Sequence, residues 1–478
     1  MIKKAPFKKV LIANRSECAT RIIRACKELG IKTVAIYSEA DAQALHVKKA
    51  DEAYLIHGDP VKAYLNYYQI VELAKRIGAD AIHPGYGFLS ENPKFAKYCQ
   101  KRGITFIGPS PKFLELFGNK IQARKLMKKL GLPIAEGSDG PVESEKEAVE
   151  ISQRIGYPVM IKAACGGGGR GLRIARNEEE VRRYYQMARK EAELAFGSPE
   201  VFIEKYIENP KHVEIQIVAD KHGNVVHLGE RDCSLQRRHQ KILEIAPCPI
   251  LTKRQREKLG SLCVKVAKEI GYDNVGTWEF LMDKYGNFYF MEVNPRLQVE
   301  HTITEQVTGI DIVKEMIRIA AGHTISFSQK DVKMRGYSFQ FRITCEDPAN
   351  NFIPKPGIVT AYYSPGGPGV RIDGIVYKGF KIPPYYDSLI SKLIVWGRTW
   401  DETIARGLRA LNEFIIRGVP TTIPFFKAIL EDPDFIRANF DTSFVDKKLK
   451  EFKFTKKKDP ESMALAIAAA VAAYHGIK

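Results

Sequence analysis

The segment Gly276–Glu300, GTWEFLMDKYGNFYFMEVNPRLQVE, constrains the fold most, because pairing it as a hairpin sets two carboxylates directly against each other. Two strand-forming runs, Thr277–Asp283 and Phe288–Asn294, flank the turn Lys284-Tyr285-Gly286-Asn287. A register with Asp283 opposite Phe288 places Glu279 opposite Glu292 and Thr277 opposite Asn294. Like charges facing each other across a ladder repel, so the pair calls for a cation between them. An ion held by oxygens alone, from Glu279, Glu292 and the Asn294 amide, fits Mg²⁺ or Mn²⁺ better than Zn²⁺. Mg²⁺ bound by so few protein groups completes its shell with water and phosphate oxygens, which points to a nucleotide. The alternative is an exposed hairpin with two solvated glutamates.

Arg296, Gln298, Glu300 and His301 follow at once, a density of polar side chains at a strand end that suits a site better than a turn. Alternation puts Glu292, Asn294 and Arg296 on one face, so an anion beside the metal is expected. Upstream, Gly166, Gly168 and Gly171 in YPVMIKAACGGGGRGLRIA match G-x-G-x-x-G, but the strand-like Leu172–Ala175 follows where a dinucleotide site needs a helix. No G-x-x-x-x-G-K-[ST] loop exists. The run reads instead as a hairpin flap whose N–H groups close over phosphates, with Lys162 on its entering strand.

With 478 residues the chain is too long for one core, and three lobes are expected. No apolar run reaches membrane-spanning length and the N-terminus lacks a signal-peptide pattern, so a cytoplasmic protein is expected. Eight scattered cysteines without C-x-x-C spacing read as reduced thiols. The formal charge of +18 is spread along the chain without an RNA-binding motif, so anionic substrates, an acidic protein partner and a lysine-rich surface are preferred over nucleic acid.

The expected organisation is α/β and α+β multidomain. Residues 1–120 alternate strand and helix as a Rossmann-like domain: strands Val10–Ala13, Thr33–Tyr37, Ala81–His83 and Thr105–Ile107, with helices over Ala19–Leu29 and Val61–Ile77. Residues 121–335 form a central domain with a mobile lid over about 131–203, and 336–447 a mixed C-terminal domain with a helix Trp400–Ile416. Residues 448–478 hold a basic linker and an Ala-rich helix, Met463–Tyr474, with Asp459 as its cap. That helix is apolar around most of its circumference, so burial is expected, on the chain's own body or on a partner.

The lysine strand entering GGGGRG, the stretch Glu204-Lys205-Tyr206-Ile207, and Glu279, Glu292 and Asn294 together resemble the ATP-grasp fold. More closely, IANRSECATRIIRACKELGIKTVAIYS, HPGYGFLSEN, HVEIQIVAD, ERDCSLQRRHQKILEIAPCP and MEVNPRLQVEHTITE resemble biotin carboxylase, in the family's order from residue 10 to about 450. The resemblance implies that ATP phosphorylates bicarbonate and that the carboxyphosphate delivers CO₂ to biotin on a carrier protein. Lys120, Lys162, Gly168 and Gly169 then match phosphate-side positions, and Glu204, Lys205 and Ile207 the adenine pocket. His212, Gln236 and His239 match ribose and phosphate contacts, and Glu279, Glu292 and Asn294 the metal site. Lys241, Arg296, Gln298 and the backbone of Val299 match bicarbonate contacts, Glu300 the general base, and Arg342 the group facing the biotin enolate. Two positions depart from the family pattern: Arg15-Ser16-Glu17-Cys18 puts Ser16 where glycine is usual, and Ala164-Cys165 precedes the lid glycines. The resemblance also implies a homodimer, a separate biotin carrier and a carboxyltransferase subunit. Another ATP-grasp ligase, of carbamoyl-phosphate or glycinamide type, and a catalytically silent scaffold are the alternatives.

Overall fold

Five parallel strands open the chain, in the spatial order Glu52–Leu55, Lys32–Tyr37, Lys9–Ile12, Ala81–His83 and Thr105–Phe106. The computed structural model describes residues 6–163, 172–452 and 460–475. On the central strand Val10, Leu11 and Ile12 are all fully buried, as expected where both faces of a parallel sheet are covered. The first helix runs Ser16–Glu28, beginning earlier than Ala19. The single helix expected over Val61–Ile77 is two, Pro60–Ala63 and Tyr67–Arg76, because the Asn66 side chain accepts a bond from the Gln69 N–H and caps a new start. Ser16 keeps a positive φ of 63° despite its side chain, so this turn persists without glycine. Gly85 (φ +65°) is held to glycine by space as well: a Cβ there would overlap the Cys18 sulfur, and this close approach seats Tyr86.

The main sheet has eight strands in the order Phe288–Asn294, Asn274–Met282, Lys211–Ala219, Val225–Arg237, Gln240–Ala246, Tyr337–Thr344, Leu389–Gly397 and Val370–Gly374. It crosses residue 335, where a domain boundary was expected, without interruption. The Glu279 hairpin forms with Glu279 opposite Glu292 and Thr277 opposite Asn294, but nearer the turn the register shifts. Met282, not Asp283, faces Phe288, and a bulge between Glu279 and Phe280 absorbs the difference. Behind the hairpin, Trp278 is fully buried against Tyr272 at 4.9 Å and Phe117 at 6.3 Å between ring centroids. Trp278→Ala should cost about 3–5 kcal/mol, measured as a lower denaturant midpoint.

A separate three-stranded sheet, in the order Leu172–Ala175, Val159–Ala163 and Val201–Lys205, carries the helices Glu145–Ile155 and Glu178–Phe196, capped by Ser144 and Asn177. It has its own core of Val149, Val159, Ile161, Tyr185 and Ile203. Gly168, Gly169 and Cys165 lie outside the described residues. In the C-terminal part the helix is Trp400–Glu413, and the residues expected to continue it form the strand Ile415–Arg417. The tail corrects one expectation. The helix Pro460–Tyr474 forms, but Leu465, Ile467, Val471 and Tyr474 are exposed, so it does not dock on its own body. Its proposed cap, Asp459, lies outside the described residues. Among the described residues, no helix is long and apolar enough to cross a membrane.

Candidate active site

The floor of the site is a row of charged residues across four neighbouring strands. Glu279 pairs in register with Glu292 on one side and Glu214 on the other, and Glu214 pairs with Arg231. Residues opposite one another on adjacent strands share a face, so three carboxylates and a guanidinium lie side by side. The strand Lys211–Ala219 is buried along its whole length, and its alternate polar residues His212, Glu214 and Gln216 face this layer instead of solvent. Lys241 neutralises the row: its ammonium lies 2.6 Å from Glu214, 3.0 Å from Glu279 and 2.8 Å from Glu300. Burial alone would raise the pKa of Glu279, but Lys241 and His212 outweigh it and hold the carboxyl well below its usual range. Burial likewise works against the Lys241 charge, and the three glutamates hold its pKa well above normal.

One end of the row suits a nucleotide. Lys120, at the start of the helix Lys120–Lys129, lies 2.9 Å from Glu292. Lys162 pairs with Glu204, whose other oxygen takes Arg124 at 2.9 Å. The Lys205 ammonium turns away to the Gly156 and Tyr157 carbonyls, which leaves its backbone and Ile207 on the cleft wall. The Gln236 amide donates to His212 Nδ1 at 2.7 Å, so Nε2 carries the proton and donates to Glu279 at 2.7 Å. His239 stands exposed at the rim with φ 65°.

The other end suits a small planar anion. Arg296 donates to Asn294 Oδ1 at 2.9 Å and Gln298 Oε1 at 3.0 Å, and pairs with Glu91. The Gln298 amide nitrogen is buried without a partner, a donor free for an incoming acceptor. Arg342 spans Glu244 and Glu300, reaching Glu300 Oε2 at 3.1 Å. Burial pushes the Glu300 carboxyl up, but Lys241, Arg342 and Arg231 reverse that and hold it far below the usual range, so it stands ionised.

All the described sequence-predicted site residues line one cleft of about 510 Å³. A second cavity, of about 450 Å³, adjoins it at Gln240, Lys241, Val299 and Arg342, with Phe88, Phe352, Phe425 and Phe426 among its walls. Sequence reasoning missed Glu214, Arg231, Glu244, Glu91 and Arg124. The signal for Glu214 was the alternation in KHVEIQIVA, normally read as one wet face.

Glu279, Glu292 and Asn294 fit a hard divalent ion in donor chemistry. The Asn294 amide nitrogen lies 2.8 Å from Glu279 and 3.5 Å from Glu292, while its oxygen takes Arg296; a half-turn of the amide would present that oxygen to an ion between the carboxylates. Two other groupings, His212-Glu214-Glu279 and Glu214-Cys233-Glu300, bring possible ligand atoms together, but Lys241 already bonds to Glu214, Glu279 and Glu300 there.

A polar, lysine-fringed cleft on an antiparallel sheet, faced by a small separate sheet, is the arrangement the ATP-grasp resemblance implies. Family models agree along the chain: "Biotin carboxylase, N-terminal domain" matches residues 6–114, "Carbamoyl-phosphate synthase L chain, ATP binding domain" 119–328 and "Biotin carboxylase C-terminal domain" 340–447. The chain belongs to the biotin carboxylase family. It is 54% identical over 471 residues to the 2-oxoglutarate carboxylase small subunit of Hydrogenobacter thermophilus, covering 98% of this chain and 100% of that one. It is 53% identical to one of the subunits of pyruvate carboxylase from Methanothermobacter thermautotrophicus, over 92% of this chain and 90% of the relative. The solved biotin carboxylase domain dimer of the Hydrogenobacter enzyme, in complex with MgADP, ADP and bicarbonate, superposes with a TM-score of 0.91 at 54% identity, over 94% of this chain and 99% of that one.

Proposed function

We propose that this protein is the biotin carboxylase subunit of a multi-subunit carboxylase, using ATP and bicarbonate to carboxylate biotin on a carrier protein. The observation that carries this reading is the junction at Lys241, Val299 and Arg342, where the cleft with the nucleotide-type groups meets the aromatic-walled second cavity. Two half-reactions need two such spaces sharing one wall.

In the first, Arg296, Gln298 and Lys241 hold bicarbonate with its hydroxyl toward Glu300, which takes the proton as the anion's oxygen attacks the γ-phosphorus and ADP leaves. Lys120 and Lys162 balance charge on the phosphates. A bound Mg²⁺, held by Glu279, Glu292 and Asn294, would offset the negative charge of the transferred group; Mn²⁺ fits the same oxygens. In the second, carboxyphosphate releases CO₂ and phosphate, the released phosphate takes the proton of a biotin ureido nitrogen, that nitrogen bonds the CO₂ carbon, and Arg342 stabilises the enolate oxygen. The lid glycines Gly168 and Gly169 are assigned to the phosphates on sequence alone. The final acceptor belongs to the carboxyltransferase partner: the two relatives above, named for different acceptors, differ by 1% in identity to this chain. A homodimer, as in the Hydrogenobacter domain, is the expected assembly.

The test is ATP cleavage by the purified protein with Mg²⁺ or Mn²⁺. The expected result is cleavage that needs bicarbonate and rises with free biotin. Cleavage indifferent to bicarbonate, or driven by an amine substrate, would favour the carbamoyl-phosphate type ligase instead.

A further inference from the structure

Lys392 lies on the strand Leu389–Gly397, far in sequence from every residue assigned above, and is fully buried. In register it stands between Arg342 on one neighbouring strand and Asp373 on the other, so the three side chains share a face of the sheet. Arg342 reaches Glu300 Oε2 at 3.1 Å. Lys392, one strand over, donates to the backbone carbonyl of Val299 at 3.2 Å and to the Tyr86 hydroxyl at 3.3 Å. The Tyr86 hydroxyl donates in turn to Glu17 on the first helix. No carboxylate among the described residues pairs directly with the Lys392 ammonium; Asp373 opposite it is bonded to Arg371 and Arg24.

A buried ammonium without a direct counter-charge is a poor device for stability, since an apolar side chain of that length would avoid its desolvation. Its placement is informative instead. The Val299 carbonyl belongs to the peptide joining Val299 to Glu300, so fixing it fixes the backbone rotation that aims the Glu300 side chain. The helix His301–Thr308 begins immediately afterward, and Glu300, at its N-cap, makes no side-chain capping bond that would hold it there.

We propose that Lys392 is a positioning residue for Glu300. Arg342 holds the carboxylate end, Lys392 holds the peptide at the root, and through Tyr86 the same ammonium ties the N-terminal domain to that point. Lys392 touches no substrate in this scheme. It acts by keeping the general base in line with the bicarbonate proton, a geometry on which proton transfer depends.

This assignment rests on the carboxylation reading above, and the experiment separates the two. Wild-type protein without bicarbonate-dependent ATP cleavage would defeat that reading; the Lys392 variants are then compared only if the wild type is active. Lys392→Met should lower kcat for bicarbonate-dependent ATP cleavage about tenfold or more while KM for MgATP stays within about twofold, since the nucleotide end of the cleft is untouched. Lys392→Ala opens space for a small amine, and methylammonium should restore turnover in proportion to its concentration; this arm also covers a Lys392→Met protein that fails to fold. Wild-type kcat in Lys392→Met would overturn the proposal. So would a joint fall of kcat, MgATP affinity and thermal midpoint, or Lys392→Ala turnover that ignores methylammonium.

Discussion

Glu300→Gln should lower bicarbonate-dependent ATP cleavage by about 10²–10⁴-fold, the usual range for losing a positioned general base. The amide is nearly isosteric and can still accept from Lys241 and Arg342, so binding of MgATP should change little. What it cannot do is take a proton. The resting site makes this exchange physically demanding, because three cations hold the Glu300 carboxyl far below its ordinary pKa and a group so depressed is a feeble base. Bicarbonate itself supplies the correction. An anion lodged against Arg296, Gln298 and Lys241 draws Lys241 away from Glu300 and adds a negative charge beside it, and both effects raise the proton affinity of the carboxylate. In the proposed mechanism, Glu300 is thus a weak base until bicarbonate arrives. Steady-state rates at saturating MgATP check the expectation: a Glu300→Gln kcat within about threefold of wild type would remove Glu300 from the proton transfer.

Lys241→Met should lower stability by about 3–5 kcal/mol at neutral pH, because it strands Glu214, Glu279 and Glu300 without their shared counter-ion. Its pH dependence should also change in kind. In the wild type, Glu279 and Glu300 have folded pKa values below their unfolded ones. Their contribution is therefore present above the unfolded pKa and disappears only as pH falls below about 5. Without Lys241, burial dominates as it already does at Glu214, whose pKa is raised. The native variant then binds more protons than its unfolded form, so its stability should rise as pH falls from about 8 toward 5. Denaturant midpoints at both pH values test this. A variant midpoint that is flat or falls on acidification would show that Lys241 does not carry the charge balance of the row.

The carboxylate pair was legible because Glu279 and Glu292 are fixed by local pairing: a short turn and two strand-like runs suffice to place them. The register failed only toward the turn, where Met291 bulges out of the partner strand opposite the step from Glu279 to Phe280, an extra residue that no propensity signals. The third carboxylate was not legible, because Glu214 comes from a strand whose contact with Glu279 spans 65 residues and whose polar face looks solvated when read alone. Glu91 and Lys392 were hidden for the same reason, being brought in by tertiary packing from the first and last thirds of the chain. The tail helix misled in the opposite sense: an apolar circumference says that a surface wants cover, and the chain itself does not provide it.

The eight hydrogen-bonded strands that run from the Glu292 edge to the Val370–Gly374 edge have a mechanical corollary. Glu279, Lys241 and Arg342 sit on one continuous plank, and adjacent strands cannot slip past one another without breaking a ladder of bonds. Any opening and shutting of the molecule must be confined to the parts mounted above and beside that plank, so the spacing between the phosphoryl-handling and ring-handling ends would stay constant through turnover while only the roof travels.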